Sequence, residues 1–347
     1  MIAPPPDQEN SMTRVTFVFA ALVALCSTPT ARAAGEAGEQ APDFPPGLFL
    51  DGNRYSLKDL DGKAVVLFFY EKDCPRCREK IPERNQIVEQ YRDKPVKFIA
   101  VAAGDSTAEA KAYVTETKLA MPVFVDNLSL MEARYGTKIS LQNIWQFRLI
   151  GPDGKIVNYS MAPADIDRAI AKVQWKYKDG GWDPKLAGAV ELLEWGRYAD
   201  GLRTLKPHLK ASKKDVAESA KKLYDAVRAE GEKWLTEADA AVAAEKSVDA
   251  YDLYTKVATA FAGDDLAKRT AAPLKKLAAS QAVKDELAAR QMYVQLCQGA
   301  ARAQPADRPQ VATFAATIAK KYPNSPTGLR AADVAKELTS TTGAAAK

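Results

Sequence analysis

Cys74 and Cys77 are separated by two residues in Cys74-Pro75-Arg76-Cys77, a spacing at which two sulfurs can close a small ring by thiol–disulfide exchange. Taken alone, the spacing also fits a structural disulfide or a pair of metal-binding thiolates. Little else in the 347 residues offers competing chemistry. His208 is the single histidine, so a Ser-His-Asp triad, a Cys-His protease or a multi-histidine metal site would each have to be built around it. It follows Pro207 with no metal-ligand spacing to any partner, and reads as a surface or helix-end residue. The chain has four cysteines, too few for a disulfide-stapled scaffold. Cys297, in Tyr293-Val294-Gln295-Leu296-Cys297, reads as a buried, inert thiol on a helix.

The local sequence favours a thiolate at Cys74. Pro75 suits the first position of a helix, where its missing N–H would be unpaired anyway. Cys74 then sits at that helix's N-terminus, facing unpaired N–H groups and the positive end of the macrodipole. Lys72, Arg76 and Arg78 add positive charge, which Glu71, Asp73 and Glu79 partly cancel. Cys77, one turn into the helix, is expected to be more buried and placed to resolve a mixed disulfide.

Elements able to hold such a pair are legible on both sides of it. Residues 63–70 (KAVVLFFY) form a nearly continuous apolar run, the pattern of a strand buried on both faces. Residues 97–103 and 122–125 repeat that pattern, and 147–150 with 155–157 read as a hairpin turning at Gly151-Pro152-Asp153-Gly154. Helices are expected over 75–92, over 107–118 with Ser106 and Glu109 as a capping box, and over 165–174. This order describes a three-layer α/β domain. An unrelated α/β fold remains open on this pattern alone.

Three segments narrow the choice. Val65-Val66-Leu67-Phe68-Phe69 through Cys74-Pro75-Arg76-Cys77-Arg78-Glu79 to Pro82-Glu83 resembles the thioredoxin-like proteins of the TlpA/ResA and AhpC-TSA (redoxin) group. Gly38-Glu39-Gln40-Ala41-Pro42-Asp43-Phe44 is similar to that group's opening, and Asp153-Gly154-Lys155-Ile156-Val157 to its late hairpin. The resemblance covers residues 38–174. It implies a thioredoxin-like fold with a central mixed sheet, and exchange with protein thiols or disulfides outside the cytoplasm. Cys74 would be the attacking thiol and Cys77 the resolving one, without a cofactor or metal. Two positions depart from the group. Asp73 stands where a tryptophan usually precedes the first cysteine, and its charge should raise the Cys74 pKa. Trp145 aligns with a cis-proline that faces the cysteines, which leaves altered substrates, a metal-binding pair or a degenerate domain open. The peroxiredoxin pattern of Pro and Thr or Ser before the reactive cysteine fits neither cysteine, so peroxidase chemistry is discounted.

Residues 12–33 (MTRVTFVFAALVALCSTPTARA) read as an export signal. Arg14 leads an apolar run of about 12 residues, and Ala31-Arg32-Ala33 supplies an A-x-A cleavage site, with Met12 as the expected true start. The run is shorter than the ~20 residues that span a bilayer as a helix, so no stable membrane span is expected in the mature chain. Cys26 follows Leu25, which does not fit lipidation, and is expected to leave with the signal. The destination is then periplasmic or secreted, where a close cysteine pair can oxidise. The net charge of +5 is spread thinly, which argues against nucleic-acid binding.

The expected plan is a signal over 1–33, a thioredoxin-like domain over 34–174, a linker over 175–184, a helical domain over 185–340 and a disordered tail over 341–347. About seven helices are expected in the helical part, with Val216, Ala220, Leu223, Val227, Trp234 and Ala238 on one face. Gly196-Arg197-Tyr198 with Gly201-Leu202, and Lys321-Tyr322-Pro323-Asn324-Ser325-Pro326, resemble parts of a tetratricopeptide unit. The ~34-residue period is not sustained between them, so a plain bundle is an equal alternative. Two functions follow. One is an extracytoplasmic thiol–disulfide oxidoreductase whose helical half docks a partner protein. The other is a non-enzymatic scaffold holding a structural disulfide, with a Cu(I) carrier as a minor third reading.

Overall fold

The computed structural model describes residues 35–53, 55–58, 60, 62–139 and 146–340. The export signal, Trp145 and the tail over 341–347 lie outside the described residues. A six-stranded mixed sheet organises the first half: β1 (Leu48–Phe49), β2 (Ala64–Tyr70), β3 (Val96–Ala103), β4 (Val123–Asp126), β5 (Gln146–Ile150) and β6 (Ile156–Asn158). Their spatial order is β1-β4-β3-β2-β5-β6. The three apolar runs form the parallel centre β4-β3-β2, and the hairpin β5-β6 joins β2 antiparallel.

Strand β2 is buried at every residue because both sheet faces are covered. Ala64, Val66, Phe68 and Tyr70 face one core, which also contains Cys74 and Cys77. Val65, Leu67 and Phe69 face the other, with Phe44, Phe124 and Tyr135. The helix expected over 75–92 is two helices, α1 (Pro75–Glu79) and α2 (Ile81–Gln90). Pro82 explains the break, since it has no N–H to return to the Arg78 carbonyl. Helix α3 (Thr107–Thr117) carries the Ser106–Glu109 capping box and, with α5 (Pro163–Ile170), covers the first face, while Met131 of α4 (Leu130–Arg134) packs on the second.

Eight α-helices follow among the described residues: α6 (Ala187–Glu194), α7 (Tyr198–Leu205), α8 (Lys214–Ala243), α9 (Ser247–Ala260), α10 (Asp265–Ala278), α11 (Gln281–Ala300), α12 (Arg308–Lys321) and α13 (Pro326–Ser340). Their lengths run from 8 to 30 residues. The expected apolar face of α8 is buried throughout. No helix among the described residues is long and apolar enough to cross a membrane.

Residues 175–184, the expected linker, carry one buried anchor. Tyr177 is buried, and Trp182 donates its indole N–H to the Tyr177 carbonyl. Gly180 lies under that indole, where a Cβ would come within 2.3 Å of the ring. The glycine there serves close approach rather than freedom.

The helices also continue the core of the sheet. Trp195 packs on the second face, and Leu128 and Leu130 join a cluster with Leu296, Val311 and Ile318. Polar contacts fix the same junction. Asn127 donates to the Ala300 and Ala303 carbonyls at 2.8 and 2.6 Å, Thr107 to Ala301 at 3.0 Å, and Arg308 to Leu128 at 2.7 Å. Arg134 grips both oxygens of Glu337. All described residues belong to one compact unit.

Candidate functional site

Parallel strands deliver their following loops to one edge of the sheet. Tyr70 pairs with Ala102, and Ala103 with Asp126, so the segments after β2, β3 and β4 emerge side by side. Cys74 lies in the first of these, as the N-cap of α1 with an extended backbone. Its sulfur accepts the Cys77 N–H at 3.1 Å, one of the otherwise unpaired donors of the helix start. Cys74 and Cys77 are joined as a disulfide, with their Cα atoms 5.3 Å apart. Cys74 is 9% exposed and Cys77 is fully buried, the order expected of an outer and an inner thiol.

The flanking residues take defined places. Pro75 opens α1, as its fixed backbone suggests, and Arg76 is exposed beside the disulfide. Asp73 points into solvent and is paired with Lys72 at 2.8 Å, which offsets its negative charge near the sulfur. Lys72 also pairs with Glu109 at 3.3 Å. Arg78 pairs with Glu116 at 2.6 Å, and its guanidinium covers the Tyr113 ring at 5.3 Å.

Three buried polar residues at the site were missed in the sequence. Asp105, in the turn after β3, is 4% exposed, and its carboxylate accepts the Lys72 N–H at 3.2 Å. Burial pushes its pKa up to about 7, against the opposing pull of that N–H and of the Lys72 charge. Tyr70 and Tyr113 stack at 4.5 Å in the cysteine-bearing core, with buried hydroxyls that lack hydrogen-bond partners among the described residues. Burial raises both phenols, Tyr113 to about 12. The signal that could have found Asp105 was an acidic residue directly after a buried parallel strand, at the edge where Cys74 emerges.

Asp105 makes stability pH-dependent with a definite sign. Its folded pKa lies above the ordinary carboxyl value, so the folded chain holds a proton that the unfolded chain has released. The resulting stabilisation is complete below about pH 4 and is lost as pH rises through about 7. Asp105→Asn keeps an acceptor for Lys72 without the charge. Relative to the parent, the variant should gain on the order of 2–3 kcal/mol between pH 4.5 and 7.5. Urea unfolding at the two pH values tests this, and an equal offset at both would refute the burial argument.

A model of the AhpC/TSA family matches residues 37–159. Over 127 residues the chain is 32% identical to the thiol-disulfide oxidoreductase ResA of Halalkalibacterium halodurans, covering 36% of this chain and 69% of that protein. Over 124 residues it is 34% identical to ResA of Bacillus cereus, covering 35% of this chain and 66% of the relative. The chain thus spans about two thirds of the length of the curated relatives it matches. The thioredoxin domain of a thiol-disulfide oxidoreductase from Bacteroides vulgatus shares 24% identity over 40% of this chain and 99% of its own length, with a TM-score of 0.34.

Proposed function

Because the chain belongs to the AhpC/TSA family, we propose that it is an extracytoplasmic thiol–disulfide oxidoreductase acting on protein thiols or disulfides through Cys74 and Cys77. The observation that carries this reading is the asymmetry of the pair. The outer sulfur caps a helix start and accepts an N–H at 3.1 Å, while the inner one is fully buried behind it. A donor aimed at sulfur favours the thiolate, the species that attacks a disulfide.

In the reductive direction the Cys74 thiolate attacks one sulfur of a substrate disulfide. A Cys74–substrate bond forms, the substrate S–S bond breaks, and its other sulfur leaves as a thiolate. The Cys77 thiolate then attacks the Cys74 sulfur, closes the intramolecular disulfide and releases the second substrate thiolate. Two electrons pass to the substrate, and the reverse sequence oxidises it. Residues 34–174 are the exchange domain in this reading. Residues 185–340 brace it, and their solvent side would receive any docked protein. Export rests on the signal pattern over residues 12–33.

Burial of both cysteines favours one other reading, a structural disulfide in a scaffold. A redox titration separates the two. The protein is equilibrated across graded thiol/disulfide buffers, alkylated and weighed intact. A midpoint between about −120 and −270 mV with rapid exchange is expected of a catalytic dithiol. A pair still closed well below about −300 mV would place it among structural disulfides.

A further inference from the structure

We infer that the turn from Asp105 to Glu109 is a positioning element for exchange at Cys74, and that the helical half holds this turn in place. The inference rests on the exchange reading above and concerns what sets the attacking sulfur. Strands β2 and β3 end side by side, with Tyr70 paired to Ala102. Between β2 and α1 the chain has only residues 71–74 in which to turn and present Cys74 as the N-cap. One backbone bond closes that turn, from the Cys74 N–H to the Glu71 carbonyl at 3.3 Å. Two further fixed points come from the turn after β3.

Lys72 receives both of them. Its backbone N–H donates to the Asp105 carboxylate at 3.2 Å, and its ammonium pairs with Glu109 at 3.3 Å. Asp105 is buried, and an N–H deprived of its acceptor beside it is costly. Glu109 is itself held. Its carboxylate accepts the Ser106 N–H at 2.9 Å, while the Ser106 hydroxyl accepts the Glu109 N–H at 3.4 Å. The turn is therefore braced between its two contacts with Lys72, and it fixes a residue two positions before the sulfur. A misplacement of about 1 Å at a reacting atom can cost ~100-fold in rate.

The helical half reaches the same turn. Thr107 lies between Asp105 and Glu109, and its hydroxyl donates to the Ala301 carbonyl at 3.0 Å. Ala301 ends α11, where carbonyls have no N–H from a next helical turn. Asn127, after β4, donates to the Ala300 and Ala303 carbonyls of the same helix end. An unbroken run of contacts thus leads from α11 through Thr107 and its turn to Lys72 and Cys74. The helical half then contributes to exchange without touching the substrate, by holding the platform on which the attacking cysteine sits.

The rate of the first exchange step, measured in the full chain, tests this. In a Cys77→Ser background the Cys74 thiolate attacks one sulfur of oxidised glutathione. A Cys74–glutathione bond forms, the glutathione S–S bond breaks, and reduced glutathione leaves as its thiolate. Acid-quenched samples are digested, and the adduct is located on the Cys74 peptide by mass. Asp105→Ala and Asp105→Asn both remove the charge, so a difference between them reports the acceptor for Lys72. The alanine variant is expected to react five- to tenfold more slowly than the asparagine variant. Thr107→Val removes the hydroxyl at nearly constant shape and should be three- to fivefold slower than Thr107→Ser, which retains it. Combined, Asp105→Ala and Thr107→Val should cost less than the product of their separate effects, because both act through one turn. Urea unfolding establishes that each variant is folded under the assay conditions; if Asp105→Ala is not, the Thr107 pair decides alone. A purely structural role would lower stability and leave the rates within a pair equal, which overturns the inference. Multiplicative effects would overturn the part assigned to the helical half. A parent Cys74 that forms no adduct would instead remove the exchange reading, and this inference with it.

Discussion

Replacing Cys74 with serine should lower thiol–disulfide exchange by roughly three orders of magnitude, about 4 kcal/mol of barrier at 1.36 kcal/mol per tenfold. A serine hydroxyl is not ionised near neutral pH and cannot attack sulfur as a thiolate does, while the helix start around it is retained. Cys77→Ser should behave differently. Its Cys74 still attacks, but the buried second thiol is absent, so a mixed disulfide with the substrate accumulates. Intact-mass analysis after incubation with a disulfide-bonded protein distinguishes the two variants. A structural disulfide predicts something else. Opening a loop this short costs about 2 kcal/mol of stability on a chain-entropy estimate, equally from either cysteine, and traps no adduct. Equal losses of stability in the two variants, without a mixed disulfide, would therefore remove the exchange reading.

The second large effect is expected far from sulfur, at Glu194. This carboxylate is fully buried at the end of α6 and its acceptor capacity is filled. It takes the N–H groups of Lys176, Tyr177 and Lys178 at 3.1, 2.7 and 3.2 Å, and the Lys63 ammonium at 3.3 Å. Lys63 immediately precedes β2, so one side chain ties the start of the central strand to the segment entering the helices. Glu194→Ala strands four donors at once and should cost about 3–5 kcal/mol. Lys63→Met removes the counter-charge of the buried carboxylate but leaves the three N–H bonds in place, so it should also destabilise, by less than Glu194→Ala. Urea unfolding of both variants measures the difference. A Glu194→Ala loss below about 1 kcal/mol would mean that residues 175–184 contribute no more than an exposed connection does.

The glycines of that segment show where local composition misleads. Gly180-Gly181 suggests flexibility, yet the structure uses Gly180 to admit the Trp182 ring and Gly181 in the left-handed region at φ 64°. The break at Lys80 teaches the opposite lesson. Pro82 was visible throughout, and its missing N–H sufficed to divide one expected helix into two.

What the sequence determined by itself is local. A continuous apolar run identifies a strand covered on both faces, because only such a strand can bury every residue. Proline directly after Cys74 sets a helix start on the sulfur. Ser106 with Glu109 marks the entry to α3, and the spacing along residues 216–238 marks the buried stripe of α8. Each of these depends on residues within a few positions of one another. Only the tertiary structure decided the rest. Asp105 and Lys72 are 33 positions apart and meet because parallel strands bring their C-terminal ends to one edge. Arg330 reaches the Phe44 carbonyl, and Glu194 finds Lys63, across still longer separations. Such contacts depend on how the two halves pack, and a buried polar group gains a partner only once that packing has excluded water.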